Sequence, residues 1–179
     1  YYDAGNVGGI VGSAVDTNIT NATNRENNVR GAHNVGGIAG YFANSIDNST
    51  DKYKVNNGVN DGGDIMATGA RNDKGYVTET IRQNNKEKFT IGNMGGIVGY
   101  MDGDNVYITA SANRGTVHTY EPNDPTDVPH YAKAANAGGI VGKIDRDKKS
   151  DDDMDKIRDG EYTLAAVSNS YNTGEVMGY

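Results

Sequence analysis

Three histidines, one glycine-rich run that ends in lysine and one run of alternate aspartates are the residues in this 179-residue chain whose types and spacing could do chemistry. The histidines are His33, His118 and His130. None stands in a His-Glu-x-x-His pair, so the helix that holds zinc in metallopeptidases is missing, and no Gly-x-Ser-x-Gly elbow presents a serine nucleophile. Scattered in this way, the histidines read as surface residues. Ala137-Gly138-Gly139-Ile140-Val141-Gly142-Lys143-Ile144 has the outline of a phosphate-binding loop. Ala137 replaces its first glycine, however, and Ile144 stands where Ser or Thr must reach magnesium; Lys143 then reads as the residue that leaves a strand. Asp151, Asp153 and Asp155 alternate like the start of a calcium loop. The sixth position is Lys156 rather than Gly and the twelfth is Tyr162 rather than Glu, and Lys148, Lys149, Lys156 and Arg158 neutralise the acids. A solvated charged loop outweighs a calcium site there. With no catalytic residue and no cofactor site assigned, a non-enzymatic chain is expected.

Aromatic side chains are the remaining candidates for recognition. Tyr76, Tyr120 and Tyr131 lie in or beside stretches rich in Asn and Asp. Tyrosine among such residues makes an adaptable polar-aromatic surface suited to protein or glycan. The competing reading, in which tyrosines cover the edges of a stack, carries more weight. Tyr41 and Tyr100 follow a recurring box, and Tyr2 and Tyr171 are repeat positions.

What must position these residues is that box. Asn-apolar-Gly-Gly-Ile-[Val/Ala]-Gly occurs at 6–12, 34–40, 93–99 and 136–142. It supplies Gly9, Ile10 and Gly12; Gly37, Ile38 and Gly40; Gly96, Ile97 and Gly99; and Gly139, Ile140 and Gly142. Four copies in one chain mark a stacked-repeat architecture. Alternation along a strand puts Gly8, Ile10 and Gly12 on one face and Val7, Gly9 and Val11 on the other. Neither face is polar, so each box is expected to be one strand buried on both sides. Stacking the boxes at about 4.8 Å per coil should align Ile10, Ile38, Ile97 and Ile140 in an apolar column.

A second element follows each box. Val167-Ser168-Asn169-Ser170-Tyr171-Asn172-Thr173-Gly174-Glu175-Val176 aligns with Ile108-Thr109-Ala110-Ser111-Ala112-Asn113-Arg114-Gly115-Thr116-Val117. Val55 to Met66 follows more loosely, and Ile19 to Asn24 keeps the strand and the Asn but loses the Gly spacing. Asn-x-Gly should turn the corner, since both residue types tolerate left-handed backbone. Asn24, Asn60, Asn113 and Asn172 then hold equivalent positions, where stacked amides can hydrogen-bond from coil to coil.

The two elements together, Gly-Gly-Ile-[Val/Ala]-Gly and Asn-x-Tyr-Asn-Thr-Gly-x-Val-x-Gly, resemble the GLUG-motif repeat over essentially the whole chain apart from inserted loops. The resemblance implies an all-β, parallel β-solenoid body in an extracellular bacterial protein, at the cell surface or secreted. Such proteins include filamentous-haemagglutinin-like adhesins and the non-catalytic N-terminal regions of immunoglobulin-A-cleaving metallopeptidases. Its implied partners are host or neighbouring-cell protein or glycan. Three roles follow in descending weight: a structural or adhesin segment, a substrate-orienting accessory region of a surface metallopeptidase, and a polysaccharide-acting β-helix enzyme. Periodicity alone implies only a stacked-repeat β protein.

Composition is consistent with this. Gly is abundant, Pro is scarce, and Trp and Cys are absent, which suits tight-cornered β coils and leaves no disulfide or thiolate metal site. A net charge of −7 argues against nucleic acid and anionic membrane surfaces, and no stretch is apolar enough for membrane insertion. The boxes fall 28, 59 and 43 residues apart, counted from Gly9 to Gly37, Gly96 and Gly139. The longer spacings imply inserted loops at about 61–92, 119–135 and 143–161 within one repeat domain over 1–179. An extra strand is expected over 76–81 and one helical turn at Met154 and Ile157. Tyr2-Asp3-Ala4-Gly5 matches Tyr171-Asn172-Thr173-Gly174, so the chain is expected to be a piece of a longer polypeptide. Its end coils would then pair with flanking repeats or with head-to-tail copies.

Overall fold

Short runs of β-branched and aromatic residues, punctuated by Asn and Gly, favour strands too brief to pair within themselves. They pair instead with the equivalent run one repeat away. The computed structural model describes residues 5–45, 51–67, 80–83, 86–89, 91–119, 134–145 and 165–177. These form a parallel β-solenoid of four coils with five four-stranded sheets.

The first sheet holds β1 (Asn6–Gly8), β6 (Asn34–Gly36), β13 (Ile91–Gly95) and β18 (Ala134–Gly138). The second holds β2 (Val11–Val15), β7 (Ala39–Ala43), β14 (Val98–Asp102) and β19 (Val141–Asp145). In the third are β3 (Ile19–Thr20), β8 (Tyr53–Asn56), β15 (Val106–Thr109) and β20 (Ala166–Ser168). The fourth contains β4 (Thr23–Arg25), β9 (Val59–Asp61), β16 (Ala112–Asn113) and β21 (Tyr171–Asn172). The fifth contains β5 (Val29–Gly31), β10 (Ile65–Ala67), β17 (Val117–Thr119) and β22 (Val176–Met177). Every sheet stacks its strands in coil order, and the boxes pair in register, Asn6 with Asn34 and Asn93 with Asn136.

One expectation fails at the box. It is a corner joining two sheets rather than a single strand: β1 ends at Gly8, the chain bends at Gly9 and Ile10, and β2 begins at Val11. Crowding makes the glycines necessary. A Cβ on Gly36 would lie 1.9 Å from the Ala39 carbonyl oxygen across the bend, and one on Gly99 would lie 2.6 Å from the Val35 nitrogen. Turning the bend lets Val35 and Ile38, three residues apart, both face inward, and both are fully buried.

The isoleucine column runs through this corner, joined by Ile10 N–H to Ile38 O (3.1 Å), Ile38 N–H to Ile97 O (3.0 Å) and Ile97 N–H to Ile140 O (2.9 Å). Ile38 and Ile97 are buried, Ile140 is partly buried, and Ile10, in the first coil, is half exposed. Each fully buried Val or Ile contributes about 1.5–3 kcal/mol.

Apolar side chains fall into two clusters. One is centred on Ile38, Phe42, Val55, Ile97, Met101 and Ile108, and the other on Val29, Val35, Ile65, Met94 and Val117. Left-handed backbone falls partly where expected: Gly62, in Asn60-Asp61-Gly62, has φ 93°, and Glu26, two residues after Asn24, has φ 54°. A further set, not expected, sits at Asn21, Asn57, Ala110 and Asn169 (φ 49–56°), three residues before each Asn of the fourth sheet.

The stretch read as an insertion from 61 still contributes β9's last residue and β10 to the solenoid. Beyond it lies an antiparallel hairpin, β11 (Thr80–Gln83) with β12 (Lys86–Phe89), which holds part of the extra strand expected over 76–81. The helical turn expected at Met154 and Ile157 lies outside the described residues.

Candidate functional surface

Two asparagine ladders run the length of the stack. In the inner one, Asn24 Nδ2 donates to Asn60 Oδ1 (2.8 Å), Asn60 Nδ2 to Asn113 Oδ1 (2.7 Å) and Asn113 Nδ2 to Asn172 Oδ1 (2.6 Å). Each amide also donates within its own coil, to the carbonyl oxygens of Asn27, Gly63, Gly115 and Gly174. Asn24, Asn60 and Asn113 are buried. They cross the interior to the second glycine of the box: a Cβ on Gly37 would lie 2.7 Å from Asn60 Cγ, and one on Gly96 would lie 2.2 Å from Asn113 Cγ. Gly9 and Gly139 meet Asn24 and Asn172 in the same way. The invariant glycine and the invariant asparagine of each repeat are therefore one contact.

The outer ladder uses the first residue of each box. Asn34 Nδ2 donates to Asn6 Oδ1 (2.8 Å), Asn93 to Asn34 (2.7 Å) and Asn136 to Asn93 (2.8 Å). Its recurrence in all four boxes was the signal that could have revealed it. Its direction is opposite to that of the inner ladder.

Chemically varied side chains converge on the outer face of the second sheet. Tyr41, Tyr100 and Lys143 occupy one register position in successive coils. The two rings are 5.5 Å apart at 54°, and Lys143 Nζ stands 5.1 Å over the Tyr100 ring, within range of a cation–π attraction. Tyr41 OH donates to Asp102 Oδ2 (2.9 Å), Tyr100 OH to Asp145 Oδ2 (3.4 Å), and Lys143 pairs with Asp145 at 2.7 Å. Partial burial, then the hydrogen bond to Asp102, pushes the Tyr41 phenol up to about 12, so it stays a neutral donor. Lys143 thus belongs to the middle of β19 rather than leaving it. A second tie crosses coils on the fourth sheet, where Arg114 bonds both Asp61 Oδ1 and Tyr171 OH at 3.1 Å.

Together these make a stripe of π faces, carboxylates and one ammonium, able to hydrogen-bond hydroxyl-rich or peptide ligands. Among the described residues, no three His, Cys, Asp or Glu side chains gather where a metal could be held. Tyr76, Tyr120, Tyr131, His130 and the aspartates 151, 153 and 155 lie outside the described residues.

The fold and the ladders define the class: a parallel β-solenoid built from stacked repeats. Comparison with protein families, with curated proteins and with solved structures finds no match to this chain.

Proposed function

We propose that this chain is a non-enzymatic structural segment of a GLUG-type extracellular bacterial protein, a rigid solenoid whose flank and inserted loops contact protein or glycan. The carrying observation is the in-register stack, which sets Tyr41, Tyr100 and Lys143 in one column on the exterior. A straight column at coil spacing sets two tyrosine rings and an ammonium about one strand-to-strand step, roughly 4.8 Å, apart, and so offers an extended ligand successive footholds of different chemistry. Tyrosine gives such a surface contact area at small entropy loss.

The test is a glycan array with the folded chain, followed by calorimetric titration of any captured oligosaccharide. Replacing both Tyr41 and Tyr100 with Ala should weaken capture at least tenfold, roughly 1.4 kcal/mol, while far-UV circular dichroism stays unchanged. Unaltered affinity in that variant, or no capture by the parent chain, removes the stripe as a glycan surface.

A further inference from the structure

One dipeptide of this chain is chemically fragile. Asn57-Gly58 is the single Asn-Gly pair in the sequence. In such a pair the glycine nitrogen, unshielded by any side chain, can lose its proton to a base in solution and attack the asparagine Cγ. The Cγ–Nδ2 bond then breaks, the side-chain nitrogen leaves as ammonia, and a five-membered succinimide remains. Water opens that ring to aspartate or isoaspartate. The pair forms the corner between β8 and β9, where Asn57 is exposed and left-handed (φ 56°).

Every group that this reaction must move is held. Gly58 N–H donates to Ser111 Oγ (3.1 Å), and Gly58 O accepts from Ala112 N–H (2.9 Å). Asn57 N–H donates to Thr109 O (3.1 Å), and Nδ2, the leaving nitrogen, donates to Asn21 Oδ1 (2.9 Å). Ser111 is fully buried, and its hydroxyl donates in turn to Thr109 O (2.9 Å), which leaves its oxygen to accept from Gly58. Ala22, Ser111 and Ser170 hold the register position of Gly58 in the other coils, so coil 2 alone puts glycine there. A Cβ at that position would lie 3.0 Å from Val55 Cγ1, closer than ordinary contact.

We propose that Asn57-Gly58 is a deamidation site that the solenoid keeps closed through Ser111 of the next coil, and that it reacts when this corner opens. The Gly58 nitrogen cannot turn toward Cγ while its N–H is spent on Ser111, and releasing it strands a buried pair of polar groups. Reaction is one-way. The product lacks the N–H that reaches Asn21, so carboxylate oxygen faces amide oxygen. Isoaspartate also adds a methylene to the backbone beside strands whose register is fixed. An opening of the corner is thereby recorded permanently at position 57.

Peptide mass spectrometry on the full chain, held in mildly alkaline buffer, tests this, with chromatography to separate the isoaspartyl form. The folded parent should keep its Asn57 amide, whereas the urea-unfolded chain should lose it more than about tenfold faster. Ser111→Ala, its fold checked by circular dichroism, should raise the folded-state rate at Asn57 about tenfold. Asn93→Ala, which weakens the outer ladder away from this corner, should leave that rate at the parent's level. Equal rates in folded and unfolded parent, an unaltered rate in Ser111→Ala, or an equal rise in Asn93→Ala overturns the proposal. If Ser111→Ala does not fold, hydrogen exchange decides. Through sub-denaturing urea, exchange of the parent's Gly58 amide and deamidation of Asn57 should rise together. Deamidation that rises while that amide stays protected refutes the closure by Ser111.

Discussion

The two ladders are made of the same residue, at the same coil spacing, with N···O distances between 2.6 and 2.8 Å in both, yet they differ in what surrounds them. Asn60 and Asn113 are sealed between two apolar clusters and touch backbone glycine; Asn6 and Asn136 face solvent. Water can replace a lost partner outside but not inside. An identical hydrogen bond therefore has a different stability consequence according to whether its loss strands a buried group. The inner ladder also dictates sequence beyond itself, since it forbids any side chain at the second box glycine, whereas the outer ladder dictates only its own Asn.

The largest expected effect breaks the inner contact sterically. Gly96→Ala would put a Cβ 2.2 Å from both Asn113 Cγ and the Gly139 oxygen, and one of those is backbone. A loss of about 3 kcal/mol or more is expected in chemical denaturation. A loss under one would show that the coil can shift.

Next is Asn113→Ala, which strands the Gly115 carbonyl, the Gly115 N–H and one Asn60 N–H, all buried, and frees the exposed Asn172 oxygen to water. It should cost about 2–3 kcal/mol. Asn93→Ala, at an outer position with two equivalent bonds, should cost only about 0.5–1 kcal/mol. Equal losses in that pair, read from denaturation midpoints, would erase the distinction between the ladders.

The smallest effect has the opposite sign. Ala110 holds left-handed backbone (φ 49°) where the other coils place Asn. Ala110→Asn should raise stability by about 0.5–1 kcal/mol, since Asn adopts that conformation more readily. An unchanged midpoint would show that the corner is not strained.

Much of this was legible in the chain. The four boxes, their register and the equivalence of Asn24, Asn60, Asn113 and Asn172 follow from self-similarity, because a stacked fold repeats its contacts whenever it repeats its residues. The bend within the box was not legible. Alternation sees an apolar run of Val, Gly and Ile as a strand with two buried faces. A turn at Gly37 and Ile38 yields the same residue pattern while sending Val35 and Ile38 both inward. The left-handed residue at Ala110 was not legible for a related reason: Asn and Gly advertise tolerance of that conformation, and Gly62 takes it, but Asn113 is held by its side chain while Ala110, with no such signature, takes a turn. That Tyr41, Tyr100 and Lys143 share the position after the box was legible; that they stand mid-strand beside Asp102 and Asp145 was not, because the box was read as the strand and its followers as the exit.

The hairpin of β11 and β12 falls between β10 and β13 in the chain, and the stack keeps its register across the interruption. Closing a loop costs free energy only as the logarithm of its length, about 0.6 kcal/mol per doubling. The outer ladder joins Asn34 to Asn93 across 59 residues and Asn6 to Asn34 across 28 with nearly the same geometry. Chain length and shape are thus decoupled at this corner. A lineage can lengthen, trade or delete what is inserted there as freely as text is edited in a margin, while the spine that carries it stays the same.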